Sequence, residues 1–397
     1  MSETHEHQPI SLHRYANAGL LVGALGTIVT LAGMFGGNKV AWQAYLFGYI
    51  VWASLSLGCF GVLLLFHTVN GKWGLPVMRI LEAGASKRNF GLLAALFIPF
   101  IVSIGRGDGY LYKWSDPAVK ATDKVIQFKE PYLNLPFFLI RAALFFLLWM
   151  GLTGLLRRST RKQDETGGMK ETDRRSSWAA PGLVAFVLSI TFAFTDWVMS
   201  LEPHWSSTIY GVWWVVGMAL MAFAFVTIIA TLNKDKAPYA GIVKPSWTRD
   251  MGNLLLTFTM LWGYTSLSQY LIIWSGNLGE TISYYVQRSN NHWNAIGMAT
   301  VLGQFFVPFF ALLSPRVKAQ SKLLAQICGW ILVMRLLDMY YVVMPAMRDL
   351  PLPSFWDLVA IVGIGGLWTW AFSGAVKEAP LLPAYDPRLT EVEAHAH

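Results

Sequence analysis

Stretches of about twenty apolar residues recur along the chain, and short polar segments separate them. A run of that length as a helix crosses ~30 Å of hydrocarbon. The pattern predicts ten membrane-spanning helices, near 15–36, 42–67, 89–104, 134–156, 179–201, 209–232, 250–275, 292–313, 322–344 and 354–375. The third is interrupted by Pro99, which removes an N–H and crowds the preceding turn. Trp and Tyr gather at the predicted ends (Trp42, Tyr45, Trp178, Trp205, Tyr210, Trp274, Trp293, Trp356), as amphipathic rings do at the headgroup level. The expected class is an all-α integral membrane protein. Composition agrees: 54% of residues are hydrophobic and 14% charged, against ~25% charged in soluble domains.

Lysine and arginine placement orients the helices. With a cytoplasmic N-terminus, the inside segments hold 21 basic residues and the outside loops 8; Arg141 and Arg335 fall within helices. That asymmetry puts both termini on the cytoplasmic side of the membrane, in a multi-pass protein. The net charge of +8 is therefore a topology signal, concentrated in Arg157, Arg158, Arg161, Lys162, Arg174 and Arg175, and no nucleic-acid partner is expected. The first 14 residues are polar and no small-residue cleavage site follows the first helix, so no cleaved signal peptide is read here.

The helices contain an internal echo. Tyr49-Ile-Val-Trp52 matches Tyr210-Gly-Val-Trp213, and Arg88-Asn-Phe-Gly91 matches Arg249-Asp-Met-Gly252, both at an offset of 161. Asn134 and Asn294 follow at 160, then Asp196 and Asp338 at 142. A longer loop over 157–178, between helices four and five, accounts for the change. Each aspartate precedes a proline by seven residues, Pro203 and Pro345. The predicted organisation is a tail (1–14), a flanking helix (15–41), four-helix bundles over 42–208 and 209–353, a second flanking helix (354–375) and a tail (376–397). Both copies keep the same sense across the membrane, which makes the repeat parallel.

Redox cofactors find few ligands. Cys59 and Cys328 are solitary in apolar helices, which excludes a disulfide framework and a Cys-ligated iron–sulfur cluster built from this chain alone. The histidines sit in the tails (His5, His7, His13, His395, His397), at helix ends (His67, His292) or in a loop (His204). No metal site and no tightly bound cofactor are expected.

The candidate chemistry lies in the ionisable groups within helices. A carboxylate at membrane depth costs at least ~2.5 kcal/mol on insertion scales, which makes Asp196 and Asp338 functional candidates by default. Arg335 stands three residues before Asp338, on the same face. Arg141 lies in the outer half of helix four, Glu202 and His204 cap helix five, Thr265 and Gln269 share a face of helix seven, and His292 opens helix eight. These groups converge on the outer half-membrane, where Asp196, Glu202, His204 and Asp338 are proton-transfer candidates with Arg141 and Arg335 as charge partners. Asp196, His204, Gln269 and His292 form a candidate quinone environment. Structural readings stand beside these: Arg335 with Asp338 as an intrahelical pair, Asp196 with Arg141 as a helix clamp, and His204 as a loop residue. The inner half offers only His67, Glu82 and scattered hydroxyls, which leaves a through-membrane path incomplete.

The stretch SITFAFTDWVMSLEPHWSSTIYGVWW, residues 189–214, resembles the signature of the second large membrane subunit of alternative complex III, a bacterial quinol:cytochrome c oxidoreductase, among the polysulfide-reductase-type (NrfD-like) membrane proteins. The paired bundles, flanking helices, length and cytoplasmic termini agree along essentially the whole chain. The resemblance implies a complex with a paralogous NrfD-like membrane subunit, a multihaem cytochrome c, a periplasmic iron–sulfur subunit, a monohaem cytochrome c, small membrane anchors and lipid. Haem and iron–sulfur clusters would reside in those partners, with menaquinone or ubiquinone as the diffusible carrier. In the family the paralogous subunit is the better candidate for quinol oxidation, and the subunit resembled here is more often discussed as a proton route. Two other classes stay open: an ion- or proton-coupled secondary transporter with a midplane site, and a structural scaffold.

Overall fold

The computed structural model describes residues 15–383 and 386. The tail histidines and Arg14 lie outside them. Ten long helices carry the fold: α1 (Ala16–Phe35), α2 (Lys39–Val69), α3 (Met78–Arg106), α4 (Leu135–Thr166), α5 (Lys170–Trp197), α6 (Tyr210–Leu232), α7 (Pro245–Gly276), α8 (Trp293–Leu313), α9 (Ser321–Val343) and α10 (Phe355–Val376). No strand occurs among the described residues. Nine of the ten are long and apolar enough to cross a membrane. The other, α7, matches them in length at 32 residues but carries Arg249, Asp250, Asn253 and several hydroxyls. The chain is an all-α, multi-pass integral membrane protein.

Three elements differ from the sequence reading, each for a local reason. The third helix begins earlier and is broken into Met78–Gly84, Lys87–Leu96 and Ile98–Arg106. Ser86 caps one break by accepting from the Asn89 amide, and Pro99 enforces the other. The loop expected over 157–178 is mostly helix: α4 and α5 run past the apolar region and meet at a turn whose Gly167 and Gly168 have positive φ. Charge made that stretch read as loop, but its inward face carries a buried network in which Arg175 donates to Gln163 and Gln163 donates to Thr172 at 2.9 Å. In α8, residues Val301–Phe306 form a π-helix. Pro308 follows, and its ring would crowd the Gln304 carbonyl in a regular helix.

The packing is two rings of four helices side by side. In one, α2 meets α3, α3 meets α4, α4 meets α5, and α5 closes on α2; α6 to α9 repeat that order, with α9 closing on α6. The rings touch chiefly where α6 meets α2 and α5. The flanking pair α1 and α10 lies against α2 and α3. Lipid tails are as apolar as leucine, so helix association here rests on close van der Waals contact. Small residues supply it: a methyl added at Gly26 would sit 2.7 Å from the Gly363 Cα, and Gly19, Gly23 and Gly366 continue the same seam between α1 and α10.

Candidate functional site

Two of the buried carboxylates, Asp196 and Asp338, lie at the end of the rings where α5 and α9 finish. Asp196 is the penultimate residue of α5, and a 3₁₀ turn, Met199–Leu201, follows it. Asp338 lies in the last turns of α9, and a 3₁₀ turn, Met344–Ala346, follows that. Both carboxylates are buried, at 1% and 3% exposure, so each needs a partner.

Asp196 finds its partner on the neighbouring helix. Arg141 of α4 donates from Nε to Oδ2 at 2.7 Å and from Nη2 to Oδ1 at 3.0 Å. This two-pronged geometry satisfies both carboxylate oxygens. The guanidinium also donates to the Tyr132 carbonyl at 3.1 Å and lies over the rings of Tyr132 and Phe137 at 3.8 and 4.2 Å. Burial and the Asp196 charge push the Tyr132 phenol above its ordinary pKa, so it keeps its proton at neutral pH. Asn134 caps α4, accepting from the Phe137 amide at 2.9 Å.

Asp338 is held from its own helix. Arg335, one turn earlier, donates from Nη1 to Oδ2, and the Trp262 indole of α7 donates to that oxygen at 3.2 Å. The arginine has room because α6 carries glycine opposite it: a Cβ at Gly217 would overlap the Arg335 guanidinium. A narrow cleft with no room for a water molecule adjoins this pair, lined by Trp213, Trp214, Met339 and Val342 as well as the two charges.

Among the other sequence candidates, Thr265 and Gln269 are buried and His204 and His292 exposed. Glu202 does not face Asp196; it pairs with Arg288 at 2.8 Å, and Arg288 also donates to the Val342 carbonyl at 2.7 Å. Arg288 thereby ties the end of one ring to the end of the other. His204 is exposed and bonds through Nε2 to Asp123 at 2.6 Å. Partial burial alone would raise Asp123, but the His204 bond and the Ile126 and Val125 amides outweigh it and hold the carboxyl below its ordinary range. Lys129, whose pKa burial lowers, donates to the Pro203 carbonyl at 2.6 Å. Gln269 accepts from Ser207 at 3.1 Å and donates to the Tyr285 hydroxyl at 3.3 Å. Thr265 bonds its own helix at Leu261. His292 is an exposed N-cap with φ of 68°. Of the four residues proposed as a quinone environment, none lines the crevice beside Asp338.

Several groups escaped the sequence reading. Arg288 sits on Gly279–Ser289, inside what read as a loop; Tyr284 one turn before it, with the arginine 3.4 Å over its ring, was the available signal. Arg348 and Asp357 form a further two-pronged pair at 2.7 and 2.8 Å, with Asp357 inside the capping box of α10. At the opposite end, Arg79 bridges Glu82 at 2.9 Å and Asp164 at 2.5 Å, and His67 is buried in α2.

The scan against protein-family models finds no match, and no curated protein matches the chain.

Proposed function

We propose that the chain is a membrane subunit of a respiratory quinol:cytochrome c (or other acceptor) oxidoreductase of the alternative complex III kind, and that its own contribution is proton transfer in the periplasmic half of a bacterial inner membrane. The observation that carries this reading is the pairing of a buried carboxylate with a guanidinium at the same end of both four-helix rings. Quinol oxidation, wherever in the complex it occurs, releases protons that must reach the outer aqueous phase. A carboxylate held by arginine can take up and return a proton when its partner shifts. Asp196 sits at depth, with Tyr132 against its arginine. Lys129, Asp123 and His204 lie beyond, toward the surface. The cleft beside Asp338 is too tight for a water molecule, far below the ~300 Å³ of ordinary small-molecule sites, which counts against quinone binding there. The opposite end supplies Arg79 and Asp164 beside Glu82, charged groups added to the His67, Glu82 and scattered hydroxyls that the sequence offered.

The test uses the complex purified from native membranes in mild detergent. A multihaem cytochrome c and an iron–sulfur subunit should co-purify, and Asp196→Asn should leave the assembly intact while lowering proton-coupled quinol oxidation. A lone, colourless protein that moves solutes in vesicles would replace this reading with the secondary transporter. An assembled Asp196→Asn variant with unchanged turnover and proton yield removes Asp196 from the mechanism and leaves the scaffold reading of that pair.

A further inference from the structure

A second charged site lies at the other end of the molecule, away from the aspartates. A cavity of about 490 Å³ opens between the middle segment of α3, the extension of α4 and the residues just after α10. Six cations line it, Lys87, Arg88, Arg157, Arg158, Arg161 and Lys162, and only two carboxylates, Glu165 and Glu378. Compensation inside it is sparse: Arg157 and Arg161 share the single carboxylate of Glu378, at 3.1 and 2.8 Å. Lys162 turns to Glu171 at 3.3 Å. Packing holds the walls in place. Arg88 lies 4.4 Å over the Trp370 ring, and Lys87 rests on the bare backbone of Gly154.

What borders the cavity identifies the ligand class. The outward face of α4 is an exposed apolar stripe of Phe137, Ile140, Leu144, Leu147 and Leu155, with open space beside Gly151. At 1.5 Å per residue, Phe137 to Leu155 spans about 27 Å, close to the ~30 Å hydrocarbon thickness. The stripe therefore ends where the hydrocarbon ends, and Arg157 and Arg158 begin at the headgroup level. An apolar track that runs into a basic pocket fits an amphiphile with an anionic head, and basic pockets between membrane helices suit such heads. Free phosphate would have no use for the stripe.

We propose that this cavity binds the headgroup of an anionic phospholipid, with acyl chains along α4, and that its excess of positive charge favours a lipid carrying two phosphates over one carrying a single phosphate. The inference depends on the membrane fold and not on the respiratory reading.

Native mass spectrometry of the full chain in its detergent-solubilised assembly tests it, titrating in diphosphatidylglycerol, phosphatidylglycerol, phosphatidylcholine or inorganic phosphate. Diphosphatidylglycerol should bind most tightly and phosphatidylcholine at least about tenfold more weakly. Each charge removed near a lipid surface weakens binding about fivefold, so Arg88→Gln with Arg158→Gln should cost about 25-fold. Arg158→Glu alone, at an exposed position, should cost more than tenfold and keeps the test decisive if the double variant fails to assemble. The control Lys234→Gln with Lys236→Gln should leave binding unchanged. Equal binding of the zwitterionic lipid, equal loss in the control, unchanged binding in the site variants, or displacement of the lipid by equimolar inorganic phosphate would each overturn the proposal.

Discussion

Asp196 and Asp338 end equivalent helices of two rings, yet one is secured by a neighbouring helix and the other by its own. The surroundings repeat in detail. A side chain on a short helix ahead of the third helix in each ring donates to the proline that follows each aspartate: Lys129 to the Pro203 carbonyl, Gln287 to the Pro345 carbonyl. What differs is the source of the cation. Arg141 crosses from α4 to α5, so its bonds are also a tie between helices. Arg335 reaches Asp338 along α9, and only the Trp262 indole carries that site across to α7. The same charge neutralisation is therefore coupled to packing in one ring and nearly independent of it in the other. A proton arriving at Asp196 would loosen a helix contact; one arriving at Asp338 would change a single helix.

The largest test of that contrast is arginine removal. Arg141→Ala strands a buried carboxylate and cuts the α4–α5 tie, so it should lower stability by about 3–5 kcal/mol. Arg335→Ala also strands a buried carboxylate but cuts no helix–helix tie and leaves Asp338 its indole donor, so it should fall at the lower end of that range, about 3 kcal/mol. Unfolding in detergent or bicelles measures both, and equal losses would erase the distinction. A smaller effect should follow from Gly217→Ala, whose methyl displaces the Arg335 guanidinium. Overpacking of this kind costs about 1–3 kcal/mol. It should disturb the environment of Trp262 or Trp213, read by fluorescence, while the Arg141–Asp196 bonds survive. Fluorescence unchanged from the parent would show that α6 yields elsewhere.

The smallest effect is at the surface. Asp123 is held below its ordinary pKa of 3.8, so its contribution to stability is complete above about pH 4 and fades as pH falls through the folded value. Asp123→Asn should flatten the acid limb of a thermal-stability profile and leave the neutral region unchanged. A shift at neutral pH instead would mean that the His204 contact matters for assembly rather than for charge.

Helix number and the equivalent placement of Asp196 and Asp338 were legible, because hydrophobic length marks the helices and a buried aspartate stands out in them; the buried pairs of Arg79 at the other end were not. Partner choice was partly legible. Arg335 three residues before Asp338 is a sequence-local relation, whereas Arg141 with Asp196 spans 55 positions and rested on the expectation that deep opposite charges find each other. Glu202 also finds an opposite charge, but one the sequence reading did not name: Arg288, whose short helix was hidden in a polar segment. The extended hairpin of α4 and α5 was hidden for the same reason: a charged stretch reads as loop until its buried face, Gln163, Thr172 and Arg175, is seen as a network.

The seam between α1 and α10 has a consequence for biosynthesis. About 320 residues separate Phe35, where α1 ends, from Phe355, where α10 begins. At ~5–20 residues per second, α1 waits roughly 16–64 s in the membrane before its glycine-rich face meets the helix it was shaped for. During that interval α1 lacks its main packing partner, and the translation clock sets how long it stays so.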